Sequence, residues 1–199
     1  MNVVKRILNR ILWLSPSRFK IWYYRAVKGY TIGNNCKIGR SSINCNSVIL
    51  GDQVTIYSGN VLEVQELRLG DNSSILSGNR IVGQGNFTMG AHSRIIYDHY
   101  IDVWSNVSLG DNTWLAGKGS QIWTHGSIHT KSGKVLDVHI RDNVYLGSSV
   151  KIAPGVTIAS NNLVGLGSVV VQSKLKEQTI ISGNPAQVVK EDIDWRENW

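Results

Sequence analysis

Between Ile140 and Val170 the chain reads IRDNVYLGSSVKIAPGVTIASNNLVGLGSVV. Cut into sixes, every block opens on an aliphatic residue: Ile140, Leu146, Ile152, Ile158, Val164 and Val170. Four of the five complete blocks carry a small residue second: Gly147, Ala153, Ala159 and Gly165. A period of six is neither the helical 3.6 nor the strand period of two. It fits a coil with three short straight sides, each repeating the same inward residue. Such a coil has an apolar face that only the next coil can cover, so the chain must stack into a β-helix.

The period reaches back to Tyr30. Ile32-Gly33 and Ile38-Gly39 stand six apart, and Leu50-Gly51-Asp52, Leu69-Gly70-Asp71, Met89-Gly90-Ala91 and Leu109-Gly110-Asp111 recur at spacings of 19, 20 and 20. Early coils are therefore three hexads with one or two extra corner residues. The pattern breaks once, between Gln121 and Val138, around Trp123, Thr124, His125 and His129. A loop that leaves a rigid coil and returns is a common seat of function. The division is a cap over 1–28, a β-helix over 29–172 with an extruded loop over 121–139, and a tail over 173–199 that is polar through a Gly183-Asn184-Pro185-Ala186 turn and expected to be helical after it.

Glycine is abundant, at 20 of 199 residues, as many tight corners require. No apolar run approaches the ~18 residues of a spanning helix, and no signal peptide is evident. Cys36 and Cys45 read as free thiols in a reducing compartment. These readings place the chain in the cytoplasm.

Charge is uneven. The net charge is +7, the first acid is Asp52, and seven bases lie in the first 28 residues. Residues 2–14 place Val3, Val4, Ile7, Leu8, Ile11 and Leu12 on one helical face. Residues 18–28 mix bases with Phe19, Trp22, Tyr23 and Tyr24. This basic, amphipathic start suits a cap over the open end of the β-helix. It also suits peripheral contact with the inner face of a membrane, and both readings stand. No recognition motif accompanies the charge, so nucleic acid is not a partner.

The hexads, the loop with its Thr-His, the DNVYLG and APGVTI blocks and the final Gly183-Asn184-Pro185-Ala186 together resemble the hexapeptide-repeat acyltransferases over residues 30–190. The segments DHYID and GKGSQIWTHG look most like the sugar and surface-polysaccharide O-acetyltransferases. The resemblance implies an all-β fold, a left-handed parallel β-helix with an N-terminal helical cap and a short C-terminal helix. It also implies a homotrimer, acetyl-CoA as donor in grooves between subunits, and the hydroxyl of a sugar or polysaccharide precursor as acceptor.

Acyl transfer to a hydroxyl needs a base near neutrality, and histidine titrates there. His125 occupies the position of the family's catalytic histidine, which implies a base that takes the acceptor hydroxyl's proton as the acceptor attacks the thioester directly, without a protein nucleophile. Asp102 matches an acid that holds the acceptor in related enzymes. His99 is a candidate to orient His125 or the sugar. Trp104, Trp114 and Trp123 flank the region, and Trp123 is taken for the acceptor groove because sugars stack on aromatic faces. Gly147, Ser148, Gly165 and Leu166 fall where relatives line the pantetheine arm. Tyr145 stands where they often have Trp, and Lys190 matches a base that meets the CoA phosphates.

Other readings remain open. An amino-sugar N-acetyltransferase would use the same base and donor site. A carbonic anhydrase-like zinc site would draw on His92, His125 and His129, although no metal is assigned in the leading reading. A third is a catalytically inactive assembly module.

Overall fold

The computed structural model describes residues 10–125 and 136–197. It bears out the β-helix: seven coils, each with one short strand on each of three parallel faces. Face A runs from Thr31–Ile32 to Thr157–Ile158, face B from Lys37–Ile38 to Leu163–Val164, and face C from Ser42–Ile43 to Val169–Val170. Hexad heads stack on hexad heads. On face C, Ile101 pairs with Ile81 on one side and Ile122 on the other, and all three are fully buried. The core is this set of aliphatic columns, each coil covering the apolar face of the last.

The Gly-Asp signature is one joint shared by two coils. Each aspartate accepts the corner N–H of the coil before it. Asp52 Oδ1 takes that of Asn34 at 2.6 Å, Asp71 Oδ1 that of Asp52 at 2.7 Å, Asp111 Oδ1 that of Ala91 at 2.7 Å, and Asp142 Oδ1 that of Asp111 at 2.8 Å. The glycine makes the room. A Cβ on Gly51 or Gly110 would stand 2.1 Å from the Asp71 or Asp142 carboxylate. The next corner residue turns left-handed, with φ of 57° at Asn72 and His92 and 53° at Asn112. Asparagine tolerates that region best, and His92 fills the same exposed corner place.

The first coil has no predecessor, so its edge carbonyls need other partners. Helix α1 (Ser17–Ala26) supplies them. Lys20 Nζ donates to the Gly39 carbonyl, and Arg25 donates to the carbonyls of Ile32 and Gly33. Ser17 Oγ accepts the Ile38 N–H at 2.8 Å. Burial, then the charge of Arg40, holds the Lys20 ammonium below the usual lysine range. Tyr23, Tyr24 and Leu12 close the apolar end. Residues 10–14 are also helical. Val3, Val4, Ile7 and Leu8 lie outside the described residues.

The tail differs from the helix expected there. Ile180–Gly183 adds to face B by pairing with Leu163–Val164, then turns through Gly183-Asn184-Pro185-Ala186 into an antiparallel partner, Ala186–Lys190. The reason is the same as at the other end: coil 7 has an open strand edge, and a hairpin satisfies it where a helix would not. The chain then folds back along face B. Trp195 Nε1 donates to the Asn143 carbonyl at 2.7 Å, and its ring lies against Tyr145 at 5.5 Å.

The loop is narrower than 121–139. Gln121–Ile122 still pairs on both sides, with Tyr100–Ile101 and Lys151–Ile152, and Val138–Ile140 is already back on face A. The chain departs after the third side of coil 5. Asp137 Oδ1 accepts the Asn106 N–H across a sequence gap of 31, where other coils step by 18 to 20. Residues 126–135, His129 included, lie outside the described residues.

Candidate active site

His125 follows the last strand of coil 5, at the edge where face C turns toward face A. Asp102 ends the face C strand of coil 4. The register that pairs Ile101 with Ile122 sets Asp102 over the residues leading to His125. Its carboxylate is 3% exposed and fully engaged. Oδ2 accepts the backbone N–H groups of Thr124 at 3.0 Å and His125 at 2.9 Å, and Oδ1 lies 2.8 Å from His125 Nδ1. The Thr124 hydroxyl, wholly buried, sits 3.0 Å from Oδ2 and accepts the Ser105 N–H at 3.0 Å. Trp104 stacks on the imidazole with ring centroids 4.9 Å apart.

This geometry sets the tautomer. A carboxylate facing Nδ1 keeps the proton on that nitrogen and leaves Nε2 as a lone-pair acceptor. The His125 side chain is 52% exposed, so Nε2 is reachable. The arrangement can take a proton from a bound hydroxyl or amine, hold the imidazolium against a buried carboxylate, and return the proton to a leaving group.

Asp102 thus directs its carboxylate at its own chain, with Oδ2 on the Thr124 and His125 N–H groups and Oδ1 on the His125 ring. His99 is also placed elsewhere than expected. It is 1% exposed and forms a rung of an interior ladder. Asn60 Oδ1 accepts the Asn79 N–H, Asn79 Oδ1 accepts the His99 N–H, and His99 Nδ1 accepts the Ser120 N–H at 3.0 Å. Its ring is shut off from solvent. Trp123 turns to the face of the sheet, against Tyr100 at 5.1 Å with Nε1 donating to Gln121. The aromatic partner of His125 is Trp104.

Burial pushes the His99 imidazole down to about 4. Its unfolded value is ~6.5. Between those values the unfolded chain binds a proton that the folded chain excludes, so stability rises with pH from about 4 to about 6.5 and is flat above. His99→Asn keeps an acceptor for the Ser120 N–H, as Asn79 does one coil earlier, and removes the titration. Thermal melts from pH 7 to pH 4.5 are expected to fall less steeply for His99→Asn than for the parent; equal slopes would assign the acid sensitivity to other groups.

Gly147, Ser148, Gly165 and Leu166 come together on another edge, between faces B and C in coils 6 and 7. A Cβ on Gly147 would stand 3.0 Å from the Leu166 nitrogen, and one on Gly117 in coil 5 would overlap the Ser148 hydroxyl. The result is a glycine stripe of bare backbone at Gly147 and Gly165, flanked by the Ser148 hydroxyl and the exposed Leu166 side chain. Tyr145 lies beside it on face B, packed with Trp114 and Trp195. Lys190 ends the terminal hairpin and is exposed. Face C separates this edge from that of His125, so one chain does not bring the two together. Among the described residues no group of three or more His, Cys, Asp or Glu is arranged to hold a metal. His139 lies on face A, against Ser108 at 2.8 Å.

No family model matches the chain. The galactoside O-acetyltransferase of Escherichia coli strain K12 is 31% identical over 111 residues, covering 55% of this chain and 53% of that protein. The chain spans about half the length of the curated relatives it matches. Among solved structures, the polySia-specific acetyltransferase NeuO aligns at a TM-score of 0.54 and 24% identity, covering 83% of each chain. AntD, an N-acyltransferase from Bacillus cereus solved with dTDP-4-amino-4,6-dideoxyglucose and coenzyme A, aligns at 0.58 and 20% identity, covering 87% of each. The chain has the fold of the hexapeptide-repeat acyltransferases, and the resemblance read in its hexads is borne out.

Proposed function

We propose that this protein transfers the acetyl group of acetyl-CoA to a sugar hydroxyl, in a surface polysaccharide or its precursor. The observation that carries this reading is the His125–Asp102 pair, with Nε2 exposed and Nδ1 fixed. The acceptor oxygen attacks the thioester carbonyl as Nε2 takes its proton. A C–O bond forms, the C–S bond breaks, and the imidazolium returns the proton to the departing CoA sulfur. Asp102 and the ring of Trp104 hold the base in place throughout. Gly147, Ser148, Gly165 and Leu166 would line the pantetheine arm, with Tyr145 beside it and Lys190 near the phosphates. The test is the product: mass spectrometry of sugars incubated with acetyl-CoA and the protein should show one added acetyl group, released by mild base as an ester is. An alkali-stable acetyl group on an amino sugar would favour the N-acetyl reading, which the AntD likeness supports.

The split of the base and the glycine stripe across two edges favours an assembly in which a neighbouring copy sets its stripe beside His125. A homotrimer does this with three equal sites. Analytical ultracentrifugation is expected to give about three times the chain mass of 22.1 kDa. An active monomer would contradict it.

The cap favours peripheral membrane contact as well. Lys20 and Arg25 are spent on the first coil, but Arg10, Arg18 and Lys28 are not. Among these bases Ile11, Trp13, Leu14, Phe19 and Trp22 are exposed, Trp22 to 58%. Exposed aromatics among bases suit the headgroup layer of an anionic bilayer. No helix among the described residues is long and apolar enough to cross one. Full-length protein should float with anionic vesicles and a form lacking residues 1–28 should not. Equal recovery would remove the idea.

A further inference from the structure

The edge that carries His125 has more on it than the base. Following the same turn back through earlier coils gives Trp104 in coil 4, Gln84 in coil 3, Glu63 and Gln65 in coil 2, and Asn44 and Asn46 in coil 1. The last five of these, with Val64 and Gly83, line one groove that stops one coil short of Trp104. Backbone bonds tie its wall to the active site. The Asn46 N–H donates to Gln65 O, the Gln65 N–H to Gly85 O, and the Gly85 N–H to Val103 O, next to Trp104. Gly83 and Gly85 leave the wall bare beside Trp104, where a Cβ would meet the Val103 or Ser105 carbonyl at 2.1 or 2.6 Å.

The lining is amide-rich, with one carboxylate and no base. Asn46 and Gln65 are joined at 2.7 Å, and among the described residues the Glu63 and Gln84 side chains make no hydrogen bond. Amides and a carboxylate beside a Trp face suit sugar hydroxyls and C–H surfaces. Glu63 disfavours an anionic chain. Coils stack at about 4.8 Å, so Asn44 lies roughly 19 Å along the edge from His125. One sugar cannot span that length.

At Asn44 the groove meets a second cavity, of about 270 Å³, between the cap and coil 1. Arg10, Trp13, Tyr24 and Lys28 line it, together with Asn44 itself. Its two bases have no carboxylate partner among the described residues. The polarity therefore changes along one line: imidazole, aromatic, amide groove with one carboxylate, cationic pocket.

We propose that the acceptor is an oligosaccharide of uncharged sugars ending in a phosphate. The modified sugar sits at His125 and Trp104, the following sugars lie against Gln84, Gln65 and Asn46, and the phosphate enters between Arg10 and Lys28. This rests on the transferase reading for its meaning, but its test does not require turnover.

Titration calorimetry would compare maltotetraose and chitotetraose, each free and as the 1-phosphate, with glucose 1-phosphate and a short polysialic acid. At least one tetrasaccharide 1-phosphate should bind about tenfold or more tightly than its free form and than glucose 1-phosphate, as one or two added hydrogen bonds to charge would give. Gln65→Ala with Gln84→Ala should remove the gain from chain length, and Lys28→Gln the gain from phosphate. The same glycan on a polyprenyl diphosphate in neutral vesicles separates the two sources of phosphate: tighter binding there marks a lipid-linked acceptor, equal binding a free one. No binding by any tetrasaccharide, tighter binding of polysialic acid, or unchanged binding in the groove variants would overturn the proposal. If the glycan binds and no acetyl group is transferred, the groove stands and the transferase reading falls.

Discussion

Replacing His125 by alanine is expected to lower kcat by about 10²–10⁴, the usual contribution of a general base. The fold should be kept, with a modest fall in melting temperature from the lost Nδ1–Asp102 Oδ1 bond. His125 is half exposed, its ring touches Trp104 and the Asp102 carboxylate, and the hydrogen bond its backbone N–H makes to Asp102 survives the substitution. KM for acetyl-CoA should also hold, because the residues proposed to line the pantetheine arm do not include His125. Loss of activity with loss of fold would instead place His125 in the structure rather than the chemistry.

Asp102→Asn should cost nearly as much activity, by a different route. The amide must put its NH2 in one of two places. Toward Oδ2 it would confront three donors, from Thr124 and His125. Toward Oδ1 it confronts only Nδ1, so the imidazole shifts its proton to Nε2 and ceases to be a base. We expect the second arrangement and a fall in kcat of about 10²–10⁴ with the fold kept. Asp102→Ala should be worse for stability, leaving the buried Thr124 N–H short of an acceptor at about 1–3 kcal/mol, while the Thr124 hydroxyl keeps the carbonyl of residue 102. A kcat near the parent's for Asp102→Asn, with rising activity at high pH unaffected, would return Asp102 to an acceptor-binding role.

How much of this was legible in the chain depends on range. The hexads give the coils because every sixth side chain must fill the same interior column. The Gly-Asp pairs could be counted but not explained, since each glycine serves the aspartate of the following coil. The partnership of Asp102 with His125 was hidden for the same reason. It is 23 residues long in sequence and one coil step in space, and stacking Ile101 on Ile122 would have exposed it. His99 misled because a polar residue near a site looks functional, while the Asn60–Asn79–His99 ladder is visible only in three dimensions. Trp104 and Trp123 are equivalent by composition, and only the corner decides which one meets the imidazole. The charge and tryptophans after the turn read as a helix, but Ile180–Gly183, paired on the open edge of coil 7, recruits Ala186–Lys190 as an antiparallel strand.

The measurement closest to the centre of this account is free-thiol release from acetyl-CoA, with and without a sugar acceptor, for the parent and His125→Ala side by side. Release that depends on the acceptor in the parent and vanishes in His125→Ala, with CoA still raising the melting temperature of both, is the predicted result. Equal release from the two proteins, or none from the parent with any acceptor and no thermal response to CoA, would contradict it.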